Sequence, residues 1–216
     1  AALDTRLRAA RLNGSMKLSG DGAAQQAVLA LSDGTLHLDA RLTKAGDTLT
    51  LVNMRLARGQ AALTGQGKME LGGRRAYSFN GKLQRFDLAA FLRAPRSDLN
   101  ATLELAGELE PQATGTVRFM IGDSRLAGQP VNGSGRIEFT GISQGKCEAE
   151  LRLGDNRLSA RGGFGAVADR LQLDLAAPAL AQLGTGFGGA VNARANLTGS
   201  LARPDVDLEA EGRDLA

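Results

Sequence analysis

Catalysis needs polar groups that converge, and this chain has few of the kinds that usually do. Its 216 residues include a single histidine, His37, and a single cysteine, Cys147. A zinc site drawn from His and Cys cannot be built from one of each. A serine or cysteine triad would have to pass its proton through His37, and no G-x-S-x-G turn is present to expose a nucleophile. His37 lies in "TLHLDARL", flanked by Leu36 and Leu38, and reads as a solvated side chain on a polar strand face. Cys147, in "KCEAELRL", is in phase with Ala149, Leu151 and Leu153 and reads as a small buried hydrophobe. With one cysteine, no internal disulfide can form. The glycine-rich stretches "GGFGAVA" at Gly162 and "GTGFGGA" at Gly184 do not present G-x-G-x-x-G as a strand-to-helix turn, and no G-x-x-x-x-G-K-[ST] occurs. Acidic residues are numerous, but many sit at outward alternation positions, such as Asp205, Asp207, Glu209 and Glu211. The chain therefore reads as a non-enzyme with no catalytic residues, no metal ligands and no cofactor.

Nucleic-acid binding is also disfavoured. The formal charge is +3, from 26 basic and 23 acidic residues, and these are dispersed. The clusters Arg6–Arg8–Arg11 and Arg74–Arg75 read as solvated faces or turns, without the aromatic interleaving of a single-strand binder.

Alternation dominates the chain. "TLHLDARL" puts Leu36 and Leu38 opposite His37 and Asp39, and "ALTGQGKMEL" puts Leu63, Met69 and Leu71 opposite Thr64, Lys68 and Glu70. "YSFNGKL" aligns Tyr77, Phe79 and Leu83. The same rhythm aligns Leu103 with Leu105, Val117 with Phe119 and Ile121, Ile137 with Phe139, and Leu151 with Leu153. Further on it aligns Leu171, Leu173 and Leu175, then Val191 with Leu197, and Val206 with Leu208. Sustained period-two patterning predicts strands with one dry and one wet face. Short turn signals ("SDG", "KAGD", "LGGRR", "GDNR") predict antiparallel pairing of sequence neighbours. The expected architecture is all-β: a long antiparallel meander of roughly fifteen strands, about 70 Å along the stacking direction at ~4.8 Å per strand. Two stretches break the rhythm, "FDLAAFLRAP" from Phe86 and "APALAQLGTG" from Ala177, and predict one or two short helical turns.

These breaks frame a candidate repeat. "LTGQG" at Leu63 matches "LSARG" at Leu158, "LQRFDLAA" at Leu83 matches "LQLDLAA" at Leu171, and "NATLELAGEL" at Asn100 matches "NARANLTGSL" at Asn192. We take residues 61–111 and 155–213 as candidate units within a single elongated body, residues 1–216. The sequence starts at Ala1 in mid-pattern and reads as a piece of something longer, with no apolar run near the about 20 residues of a membrane span.

The apolar face fits three uses. It could be the filled core of a sandwich or barrel, a surface for a partner protein, or a lining for lipid. Aromatics are only 4% of the chain, and Gly65, Gly67, Gly107 and Gly199 hold inward positions, which favours a curled, narrow trough over a thick core. A phospholipid with about thirty buried methylenes has on the order of 25 kcal/mol at stake in water, so its route must stay apolar throughout.

The running order "RLSARGGFG", "DRLQLDLAAPALAQL", then G-x-V-x-A-x-x-x-L-x-G-S-L-x-x-P resembles the TamB family of the wider AsmA-like group. The likeness is strongest over Asp155–Gly212 and weaker over Ala61–Pro111; the first 60 residues share only the texture. The resemblance implies a periplasmic β-sheet folded lengthwise into a groove (a β-taco, or elongated β-solenoid-like trough), part of a protein anchored in the inner membrane of a Gram-negative bacterium. It implies phospholipid acyl chains as cargo, a TamA-like Omp85 outer-membrane barrel as partner, and outer-membrane proteins such as autotransporters as clients. No catalytic residue carries over. The residues aligned above would line the groove. A chaperone scaffold that holds unfolded β-strand clients by strand addition is the alternative; a passenger-type adhesin on a β-solenoid is weaker, because Asn ladders are absent.

Overall fold

A computed structural model of the chain describes residues 13–21, 24–90, 95–141, 143–184, 186–200 and 203–215. The Arg6–Arg8–Arg11 cluster lies outside them. The strands are β1 (Asn13–Gly20), β2 (Ala24–Ser32), β3 (Leu36–Ala45), β4 (Thr48–Arg58), β5 (Ala61–Glu70), β6 (Ala76–Phe86) and β7 (Ser97–Glu108). They continue as β8 (Thr114–Leu126), β9 (Gln129–Thr140), β10 (Gln144–Leu153), β11 (Asn156–Phe164), β12 (Arg170–Ala177), β13 (Ala190–Ser200) and β14 (Arg203–Arg213). They form one 14-stranded sheet in simple sequence order, every neighbouring pair antiparallel, curled but not closed: β1 does not meet β14. The described residues hold fourteen strands where roughly fifteen are expected for the chain, and thirteen spacings of ~4.8 Å make the sheet about 60 Å long. The helical turns are short 3-10 turns, Leu88–Ala90 and Leu180–Leu183, and the described residues hold no α-helix.

Tight turns set the register. At Ala127–Gly128 both residues have positive φ, 51° and 83°, the combination whose twist suits a two-residue hairpin. Strand contacts run almost wholly between sequence neighbours, so each strand is held by the one before and the one after.

Three strands carry one residue more than their partners. The register slips at Val52–Asn53 in β4, Gln84–Arg85 in β6 and Gly122–Asp123 in β8. Bulges bend a strand and sharpen its twist, which promotes curl. Asn100, in β7 between the last two, pins both. Its Oδ1 accepts the Arg85 N–H at 3.0 Å, and its Nδ2 donates to the Asp123 carbonyl at 2.7 Å. The Ser124 hydroxyl accepts the Asn100 N–H at 2.8 Å and donates to its carbonyl at 3.2 Å.

Candidate functional site

Cross-strand register decides which residues share a face, because directly paired residues project to the same side. From Leu36 and Leu38 the pairing passes through Leu56 to Leu63, Leu83, Ala101 and Ile121. In parallel rows Met69 pairs with Tyr77, and Phe79 with Leu105 and then Val117; Leu103 pairs with Phe119. The same face continues through Ile137, Phe139, Leu151 and Leu153, then Leu171, Leu173 and Leu175, then Val191 and Leu197, and ends on Val206 and Leu208. Every residue expected on the apolar face falls on it except Leu71, which lies just past the end of β5 in the turn and is 36% exposed.

This face is not a filled core. The buried apolar residues are Ala61, Ala62, Val131 and Ala177, and no large side chain among the described residues is fully buried. The inner strands leave the face half-exposed, and at the two ends Leu18 is 71% and Leu208 61% exposed. Nothing in the described chain lies over its middle, so the sandwich or barrel reading does not hold.

Glycine shapes the surface. A Cβ on Gly135 would stand 2.6 Å from the Phe119 ring, and one on Gly115 would stand 2.5 Å from the Phe139 ring and 2.6 Å from the Tyr77 hydroxyl. Phe79 lies likewise against Gly65, Gly67 and Gly81, and Phe164 against Gly145. Rings therefore rest over neighbouring glycines, a cover that protects bare glycines in a sheet. Tyr77 reaches across β7 to donate to the Thr114 carbonyl at 3.0 Å, and its partial burial raises its pKa. The result is a low apolar pavement rather than standing side chains that would fill the trough.

One rim carries a lip. The turns after even-numbered strands lie along one edge of the sheet, and the two long connections with 3-10 turns are both there. Asn156, only 4% exposed and on the apolar face, donates to the Leu153 and Ala179 carbonyls at 3.1 and 3.0 Å and accepts the Ala179 N–H at 3.1 Å. Gln182 accepts the Asp155 N–H at 2.8 Å and donates to its carboxylate at 2.8 Å. The second 3-10 segment is thus stitched over the ends of β10 and β11, on the side where Ala177 is wholly buried. At the first, Asp87 accepts the Ala89 and Ser97 N–H groups at 3.0 and 2.9 Å. The breaks in periodicity mark where these turns brace the rim, but not how they are held: Asn156 in "GDNR" reads simply as a turn residue.

The opposite face is charged and self-compensating. A shallow hollow of about 650 Å³ there holds Arg157–Glu150 (2.7 Å), Arg161–Glu148 (3.5 Å) and Arg118–Glu104 (3.9 Å), with Arg194–Asp174 (2.8 Å) at its margin. Paired exposed charges of this sort confer solubility and leave no net anion or cation site. Arg74 and Arg75 pair with Glu108 and Glu110 at 3.1 and 3.5 Å, as a solvated turn would. His37 is exposed on this face. Cys147 lies on the apolar face, where burial pushes its thiol up and keeps it protonated at neutral pH. The described residues contain no cluster of His, Cys, Asp or Glu able to hold a metal, and no helix long and apolar enough to cross a membrane.

An open, paved, uncovered apolar face backed by a charged one is the architecture to set beside known proteins. No individually described protein and no solved structure matched the chain significantly. Among family profiles, that of the TamB N-terminal domain matches residues 6–216 and so takes in residues 6–60, where the sequence resemblance is weakest. A match over nearly the whole length establishes that the chain belongs to the TamB family, the translocation and assembly module proteins.

Proposed function

We propose that this chain is a periplasmic segment of a groove that shelters phospholipid acyl chains between the inner and outer membranes. The observation that carries the reading is the apolar face: fourteen strands long, left uncovered by the described residues, with no large side chain among them fully buried. An exposed apolar area of this extent far exceeds the few hundred Å² a soluble monomer tolerates, so it calls for an occupant. Its continuity suits a mobile chain of methylenes, each worth ~0.8 kcal/mol when kept from water. In this reading Phe119, Ile137 and Leu173 belong to the lining, and the lip at Asn156 and Gln182 narrows the opening on one rim. The full protein would be anchored in the inner membrane, would meet a TamA-like Omp85 barrel, and would support assembly of outer-membrane proteins such as autotransporters. Lipid shelter underlies that assembly role rather than competing with it.

The test is native mass spectrometry of the chain purified from bacterial cells without detergent, followed by lipid extraction. Co-purified phospholipid at defined stoichiometry is expected. A lipid-free protein whose apolar face resists hydrogen exchange would overturn the reading and leave the strand-addition scaffold.

A further inference from the structure

The apolar face is uncharged almost everywhere. Outside the three bulges, its register positions include two charged side chains, Lys44 in β3 and Arg58 in β4, at opposite rims. Arg58 stands near Asp33 and helps to lower that carboxyl's pKa, so its charge is already answered within the protein. Lys44 is not answered. It is exposed, its register partners are Gln25 and Leu49, and no ion pair reaches it among the described residues. It stands at the margin of an open hollow of about 530 Å³ on the apolar face, floored by Leu18, Ala27, Leu42 and Leu49. Asp21 also borders that hollow, with its Oδ1 accepting the Ala24 N–H at 2.9 Å.

A lone ammonium at the edge of an apolar floor mirrors the outline of a lipid with a negative headgroup. The aliphatic stem of lysine lies along apolar surface while its charge stays in water, at the depth a headgroup would take. We propose that Lys44 is a headgroup site for an anionic phospholipid whose acyl chains lie on Leu18, Ala27, Leu42 and Leu49. The inference rests on the lipid-sheltering reading above and adds to it a class of cargo and a place where the cargo is oriented. An ammonium about 4 Å from a phosphate in a watery setting favours binding about fivefold. The choline cation of a zwitterionic headgroup, about 6–8 Å off, takes back about half of that free energy. The anionic lipid is therefore favoured about two- to threefold, and salt weakens the preference.

The test uses the purified chain incubated at low salt with vesicles of equimolar phosphatidylglycerol and phosphatidylcholine that share the same acyl chains. Protein is separated from vesicles and its lipid quantified by mass spectrometry, for the wild type, Lys44→Gln and Lys17→Gln. Lys17 is a nearby lysine of β1 on the polar face. The wild type and Lys17→Gln should hold phosphatidylglycerol over phosphatidylcholine about two- to threefold. Lys44→Gln should hold both equally, with total lipid unchanged. Lipid bound without preference by the wild type, or with the preference intact in Lys44→Gln, overturns the headgroup site and leaves the groove reading standing. No lipid on any of the three overturns the groove reading and this inference with it.

Discussion

Replacing Asn100 with alanine tests whether the bulged strands are held as described. The substitution removes two side-chain hydrogen bonds, from the Arg85 N–H at 3.0 Å and to the Asp123 carbonyl at 2.7 Å. It leaves the backbone bonds to the Ser124 hydroxyl in place. At a net value of ~1 kcal/mol per bond, the loss should be about 2 kcal/mol, reduced toward 1 where water takes over the exposed Arg85 amide. Asn192, its counterpart in the second candidate repeat, makes no side-chain hydrogen bond among the described residues, so Asn192→Ala should cost under ~0.5 kcal/mol. Urea denaturation of both variants gives the magnitudes, and amide exchange gives the location. Because strands lean on their sequence neighbours, protection should fall in β6 to β8 and hold in β11 to β14. Equal losses in the two variants, or a loss spread evenly along the sheet, would refute the clamp.

Further expectations concern the pavement and the charged face. Gly135→Val should destabilise by about 1–3 kcal/mol, since its Cβ would stand 2.6 Å from Phe119 and 2.8 Å from the Ala149 Cβ; chemical denaturation measures it. Phe119→Asp should abolish lipid capture with an unchanged far-UV dichroism spectrum, and undiminished loading would remove Phe119 from the lining. Arg194, with help from Gln172, holds the Asp174 carboxyl below its ordinary 3.8. A depressed carboxylate stabilises above its unfolded pKa and loses that contribution as pH falls through the folded value, so the pair matters at neutral pH and fades below 3.8. Carboxyl-carbon NMR should show the Asp174 midpoint rising toward 3.8 in Arg194→Gln.

Alternation made the face legible because it is a property of one strand at a time. Leu171, Leu173 and Leu175 declare a side without reference to any neighbour, and His37 declares the other. Features that depend on two strands stayed hidden. A bulge is one residue more than the partner has, so nothing in "LVNMRL" singles out Val52. Phe119 lying over Gly135 is a relation across a register that neither residue encodes alone, although the scarcity of aromatics and the inward glycines pointed to a thin layer. "FDLAAFLRAP" has helical spacing but too little length, and its first turn is held at 3-10 geometry while Asp87 bonds on to Ser97. Asn100 looked like a mark of repetition; its work as a double clamp needs bulges in β6 and β8 that have no counterpart in the pairings of β12 to β14.

Strict antiparallel order also imposes a parity rule on how such a protein can change length. Each strand reverses direction, so deleting or adding one would exchange the two rims for everything downstream. The 3-10 segments follow β6 and β12, both even, and therefore overhang the same side. Adding or losing a hairpin preserves that alignment, while a single-strand change would move the second overhang to the opposite side. Growth and shrinkage by whole hairpins is thus the path of least disruption for descendants of this sheet, whatever total length they reach.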